Sequence, residues 1–307
     1  MDTFVDNSGF PLPTGIKFNK DGRTLVLTLD RQFLVSNMQS DQSAFEGWSL
    51  CLFANNSDLF NRIRIVWEPI VGYQNKEVLT SAEQGHFYRF LYRAYKFSEN
   101  FPSVVEIYPS VESVFDIAEF KHWVLNYPKR ETKDSEKENK DAEAHLERDL
   151  LSIMTGNFDY CDHQLPVGLF LNEVKKDYAR CSGRLSQIDL WSVKDNTLNI
   201  YELKNDVNKS VGIISELMFY TNVMDCFRRH IFNYPAAFAK KRVFFRHSKE
   251  LYDDITDNKI ETVNGYLLAN NLHPRITDDV ISRINTNKAG IVYKKLTVND
   301  FKSELTK

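Results

Sequence analysis

The sequence predicts an α/β protein, a mixed β-sheet core flanked by helices, preceded by a smaller α+β domain. Three observations lead there. Strand-like runs alternate with turn-rich polar segments through the first third of the chain. Helical and strand-like patterns alternate from residue 141 onward. Between them lies KRETKDSEKENK at 129–140, almost wholly charged or polar with no apolar stripe, which predicts an exposed linker. The expected division is therefore 1–128, an N-terminal α+β domain, then 129–140 as linker, then 141–307 as the second domain.

In the first domain the strand-like runs are RTLVLTLD at 23–30, WSLCLFA at 48–54 and RIRIVWE at 62–68. A helix is predicted over 82–100, AEQGHFYRFLYRAYKFSEN. On it Arg89, Arg93 and Lys96 recur at i, i+4 and i+7 beside an apolar stripe of Phe90, Leu91, Ala94 and Phe97. Such a stripe could track phosphates, but it is expected to be the solvated face of an amphipathic helix.

The second domain reads as a helix at 141–154, a short strand region near 164–171, two adjacent strands, and a helix at 209–225. Strand-like runs follow in RVFFRH, GYLLAN and GIVYKKLTV, and no internal repeat of solenoid length is evident there. This alternation implies a mixed sheet with helices on its faces.

Composition narrows the classes. The 42% hydrophobic and 26% charged content is that of an ordinary globular protein. The opening MDTFVDNSGF carries an acidic residue where a secretory leader has a basic one, and no apolar run is long enough to span a bilayer, so a cytoplasmic protein is expected. Cys51, Cys161, Cys181 and Cys226 form no C-x-x-C pair, and neither a disulfide framework nor a zinc finger is indicated. With a net charge of -3, affinity for nucleic acid would have to come from local patches.

The stretch SQIDLWSVKDNTLNIYELKND at 186–206 places an Asp in one β-branched, apolar segment and a Glu and a Lys in the next. Strand interiors disfavour all three. Folded as a hairpin with Asp195 and Asn196 in the turn, Val193 faces Leu198, Trp191 faces Ile200 and Asp189 faces Glu202. Directly opposed residues have Cβ atoms roughly 4.5–5.5 Å apart, so two carboxylates would meet. Lys204 projects from the same face as Glu202, one pleat on. Two convergent carboxylates supply hard oxygen ligands for Mg²⁺ or Mn²⁺, and a lysine can orient water or offset phosphate charge. The alternative is a solvated cross-strand charge network, against which Trp191, Ile200, Val193 and Leu198 on the same face argue. In AEAHLERDLLSIM, Glu147 stands in line with Leu151 and Met154, so a third acid could reach the sheet, with Glu143 one turn earlier as a competitor.

These residues, taken in order, resemble the PD-(D/E)xK nuclease superfamily: an acid on a leading helix (Glu147), an Asp on one strand (Asp189 in IDLW), an E-x-K on the next (Glu202 and Lys204 in YELK), then a helix. Gly183 and Arg184 shortly before the Asp, and Tyr220 in ELMFY, are similar to the helicase-associated exonuclease branch, although Glu216 stands where that branch has Gln. The likeness covers roughly 141–226. It implies a restriction-endonuclease-like fold and a Mg²⁺- or Mn²⁺-dependent nuclease with DNA as the commonest substrate. It further implies Asp189, Glu202 and Glu147 as metal ligands, Lys204 as catalytic base or water-orienting residue, and Glu216 and Tyr220 as auxiliaries.

Around the motif, Arg184, Arg228, Arg229, Lys240, Lys241 and Arg242 with neighbouring aromatics suit backbone neutralisation and base stacking, as they equally suit a solvated helix end and loop. CDH at 161–163 is set aside because adjacent residues point in different directions. The competing function is a nucleic-acid-binding or scaffolding protein that retains the fold without cleaving. A homo-oligomer or protein partner engaged through the N-terminal domain is a further expectation, and a membrane partner is not.

Overall fold

The structure is a computed structural model that describes residues 2–6, 10–38, 41–126, 142–181, 186–205, 210–233 and 247–306. It is α/β with mixed sheets, and it divides into two compact units that interleave along the chain. The first comprises Met1–Ala118, Ser210–Glu216 and His273–Gly290; the second comprises Glu119–Lys209, Leu217–Leu272 and Ile291–Lys307. The expected contiguous division is corrected accordingly, while the linker at 129–140 lies outside the described residues.

In the first unit, β1 (Asp2–Thr3), β2 (Ile16–Asp21), β3 (Thr24–Leu29), β4 (Arg62–Val66) and β5 (Val105–Tyr108) form one sheet in that order. β1, β2 and β3 are antiparallel to their neighbours, whereas β3, β4 and β5 run parallel. Its helices are α1 (Arg31–Leu34), α2 (Phe45–Asn55) and α3 (Ser81–Asn100). α3 starts at a capping box in which Thr80 Oγ1 accepts from Glu83 N at 3.3 Å and the Glu83 carboxylate accepts from Thr80 N at 2.8 Å.

Two expectations change here. WSLCLFA, read as a strand, lies inside α2, and every residue from Phe45 to Ala54 is buried. A helix covered on all sides carries no 3.6-residue periodicity to betray it. The Arg89–Arg93–Lys96 stripe, read as solvated, is also buried. Arg93 Nε donates to Glu46 Oε1 at 2.8 Å and Nη2 to Ser43 O at 2.9 Å, and Lys96 Nζ lies 2.6 Å from Glu99 Oε2. The charge of Arg93 thus has a buried partner on α2 that the local pattern around α3 could not reveal.

The two late segments join this unit through specific contacts. Ser215 Oγ donates to Glu46 Oε2 at 2.8 Å, and Asn55 Nδ2 donates to Arg275 O at 2.8 Å. Arg275 forms a buried ion pair with Asp6.

The second unit holds β6 (Trp123–Leu125), α4 (Ala142–Met154), β7 (Tyr160–Pro166), β8 (Leu169–Leu171), β9 (Ala179–Cys181), β10 (Gln187–Lys194) and β11 (Thr197–Leu203). α5 (Gly212–Arg228) begins in the first unit and continues in the second. After it come α6 (Ser248–Thr256), β12 (Thr262–Leu268), α7 (Asp278–Ile284, in the first unit), β13 (Val292–Leu296) and α8 (Val298–Leu305). Of the strand expected over RVFFRH only His247 is described, immediately before α6. Strands β6, β8 and β9 make a small antiparallel sheet, which is why residues before the linker belong to this unit.

The main sheet has the order β13–β12–β11–β10–β7. On one face Leu190, Tyr201, Leu203 and Leu268 pack with Leu150 and Met154 of α4 and with Val298 and Phe301 of α8. On the other face α5 lies so close that a Cβ on Gly265 would come within 3.0 Å of the Thr221 methyl and 3.1 Å of Leu217 Cγ. No helix among the described residues is long and apolar enough to cross a membrane.

Candidate active site at a strand fork

Asp195 and Asn196 form the two-residue turn between β10 and β11 with φ of 50° and 60°, the left-handed conformation a type I′ hairpin requires and Asn and Asp tolerate. The ladder runs Lys194–Thr197, Val193–Leu198, Trp191–Ile200 and Leu190–Tyr201, so the register is the expected one. The paired ladder ends at Leu190–Tyr201, and by alternation the next residues outward, Asp189 and Glu202, fall on the side of Trp191 and Ile200.

At that step the partners change. β10 continues along β7 with Ile188 opposite Leu165 and Gln187 opposite Pro166, and β11 continues along β12 with Glu202 beside Leu267 and Leu203 beside Leu268. In the opening, Asp189 Oδ2 accepts the backbone N–H of Leu203 at 2.9 Å. Lys204 then donates its own N–H to Leu268 O at 3.1 Å, and its Nζ reaches back to Glu202 Oε1 at 2.5 Å. Glu202 and Lys204 are buried, 2% and 8% exposed, and Asp189 is half-buried. A charge at such depth is retained only when paired, which is what the Glu202–Lys204 contact provides.

Glu147 is placed elsewhere. Its carboxylate is bonded to Nδ1 of His163 on β7, and His163 pairs with Leu190, whose side chain points away from Asp189 and Glu202. The expectation that Glu147 joins those two carboxylates is corrected by this alternation. Glu143, one turn earlier, comes to the fork instead: its Oε2 is 3.4 Å from the backbone N of Asn205, the residue after Lys204. His163 was missed as a partner because Glu147 and His163 meet only through the packing of α4 on β7.

Glu216 and Tyr220 are buried one turn apart on α5. Leu217 and Thr221 of that helix cover Gly265, which pairs with Ile200 on the Asp189 face. Arg228 and Arg229, proposed for nucleic-acid contact, are both tied to Asp225 on the same helix, at 2.6 and 3.4 Å. Gly183, Arg184, Lys240, Lys241 and Arg242 lie outside the described residues.

Comparison with protein-family models, curated proteins and solved structures returns no match. Among the described residues no group of three or more His, Cys, Asp and Glu side chains is gathered as a ready-made metal cage. Asp189 and Glu202 offer carboxylate oxygens from one face of one fork. That pattern suits Mg²⁺ or Mn²⁺ better than zinc, because Mg²⁺ is commonly held by one or two carboxylates and leaves its other positions to water and phosphate.

Proposed function

We propose that this chain is a divalent-metal-dependent nuclease of restriction-endonuclease-like fold that hydrolyses phosphodiester bonds in DNA. One observation carries the reading: where β10 and β11 part, Asp189 accepts the N–H of Leu203 at 2.9 Å and the neighbouring Glu202 meets Lys204 at 2.5 Å. Asp189 and Glu202 would hold Mg²⁺ or Mn²⁺, two carboxylates leaving the other positions to water and phosphate. The bound cation supplies Lewis-acid activation and charge neutralisation at the phosphate. With the cation on Glu202, the Lys204 ammonium would be available to water and the phosphate oxygens, where charge grows in the transition state. The hydrogen bond from Leu203 N fixes Asp189 in the fork, so this carboxylate is oriented beforehand.

The competing reading, a binding scaffold that does not cleave, draws on the same ion pair, since the Lys204 ammonium offsets the Glu202 charge without any metal. Purified protein incubated with linear, circular and single-stranded DNA in Mg²⁺, Mn²⁺ or EDTA separates the two. Cleavage confined to the metal-containing reactions supports the nuclease; DNA bound and intact in all of them supports the scaffold.

A further inference from the structure

The two units contain the same sheet. Each has five strands, in the orders β1–β2–β3–β4–β5 and β7–β10–β11–β12–β13. In each the first three strands are successively antiparallel and the last two continue parallel. In each the second and third strands form a hairpin with a two-residue turn, and helices, α1 and α2 or α5 and α6, separate the third strand from the fourth. The face bearing Phe18, Leu27 and Ile65 in one unit corresponds to the face bearing Trp191, Ile200 and Gly265 in the other.

Aligning the hairpins at their turns sets Asp21–Thr24 on Lys194–Thr197. Counting outward then sets Ile16 on Asp189, Leu29 on Glu202 and Arg31 on Lys204. Ile16 and Leu29 are a directly opposed pair, 4% and 3% exposed. Where β10 and β11 fork, β2 and β3 stay zipped, as an apolar pair allows and two carboxylates do not. A cation survives at the third position, though Arg31 donates to Val78 O at 3.3 Å and has no carboxylate at Leu29 to meet.

We infer that the first unit is a second copy of the site-bearing sheet in which aliphatic residues stand at the places of both carboxylates, so that the chain carries one hydrolytic centre and one metal-free copy of it. The loss of a metal site rests on the nuclease reading; the repeat itself rests on topology and register alone.

Two measurements on the full chain test this. For the repeat, Leu29→Glu is compared with Leu27→Glu, which lies on the same face two residues back. The repeat predicts that Leu29→Glu keeps a cooperative transition with a Tm about 5–10 °C above that of Leu27→Glu, because Arg31 can meet it as Lys204 meets Glu202. Equal loss of folding in the two variants would overturn the repeat. For the lost site, Mn²⁺ is titrated into wild type and Asp189→Asn by calorimetry. One site per chain, abolished in Asp189→Asn, is expected, and a site that persists in Asp189→Asn and disappears on truncating Glu46 or Asp30 would overturn the metal-free copy. A wild type that binds no Mn²⁺ counts against the nuclease reading, and the repeat still stands or falls on the Leu29 and Leu27 variants.

Discussion

The Asp189 carboxylate accepts the backbone N–H of Leu203 at 2.9 Å, taking the place of a ladder bond where β10 and β11 part. Asp189→Ala should lower stability by about 1–3 kcal/mol, because it strands a backbone donor in a partly buried fork. Asp189→Asn keeps an acceptor oxygen and should cost less, while still losing metal affinity. Urea unfolding of the two variants checks this; equal destabilisation would mean that the side-chain acceptor does not hold the fork.

Glu202 and Lys204 form the second relationship with a measurable cost. Removing either partner alone leaves the other charge buried, at roughly 3–5 kcal/mol. The double replacement Glu202→Leu with Lys204→Met should recover most of that loss. A double-mutant cycle by chemical unfolding reads the coupling, and strictly additive losses would show that the pair is not energetically linked.

The His163 and Glu147 contact is made through Nδ1. An Asn amide nitrogen lies near the place of Nδ1, whereas a Gln amide lies near that of Nε2, so His163→Asn should retain the tie of α4 to β7 better than His163→Gln or His163→Ala. Since Glu143 rides one turn ahead of Glu147 on α4, any nuclease activity should follow the same ranking. Indistinguishable Tm and turnover in all three variants would remove His163 from the account.

Acid sensitivity should report on His86. Burial, with the nearby Arg89 charge second, pushes its imidazole down to about 4. The folded value lies below the ordinary unfolded value of roughly 6.5, so the unfolded chain takes up the proton first as pH falls. The contribution of His86 is complete above that value and is lost as pH drops toward 4. His86→Gln should therefore flatten the decline of Tm between about pH 6.5 and 4.5; an unchanged slope would place the sensitivity elsewhere.

The hairpin was legible because its turn chemistry and its register are local: Asp195 and Asn196 set the pairing, and the pairing set the face of Asp189 and Glu202. The helices at 82–100 and 141–154 were legible by periodicity, whereas α2 was not, because Phe45 to Ala54 are buried on every side. Long-range partners were the other blind spot. Glu46 meets Arg93 from 47 residues away, and Glu147 meets His163 across a helix-sheet interface. The repeated sheet was invisible for a related reason: hairpin and strand order persist, but Ile16 and Leu29 share no chemistry with Asp189 and Glu202.

Mn²⁺ binding and Mg²⁺-dependent DNA cleavage, measured on the same preparations of wild type, Asp189→Asn and Lys204→Met, separate a hydrolytic centre from a scaffold. Wild type should bind and cut, Asp189→Asn should do neither, and Lys204→Met should bind Mn²⁺ yet cut at least on the order of a hundredfold more slowly. Wild-type protein that takes up no Mn²⁺ and leaves every DNA substrate intact would contradict a hydrolytic centre.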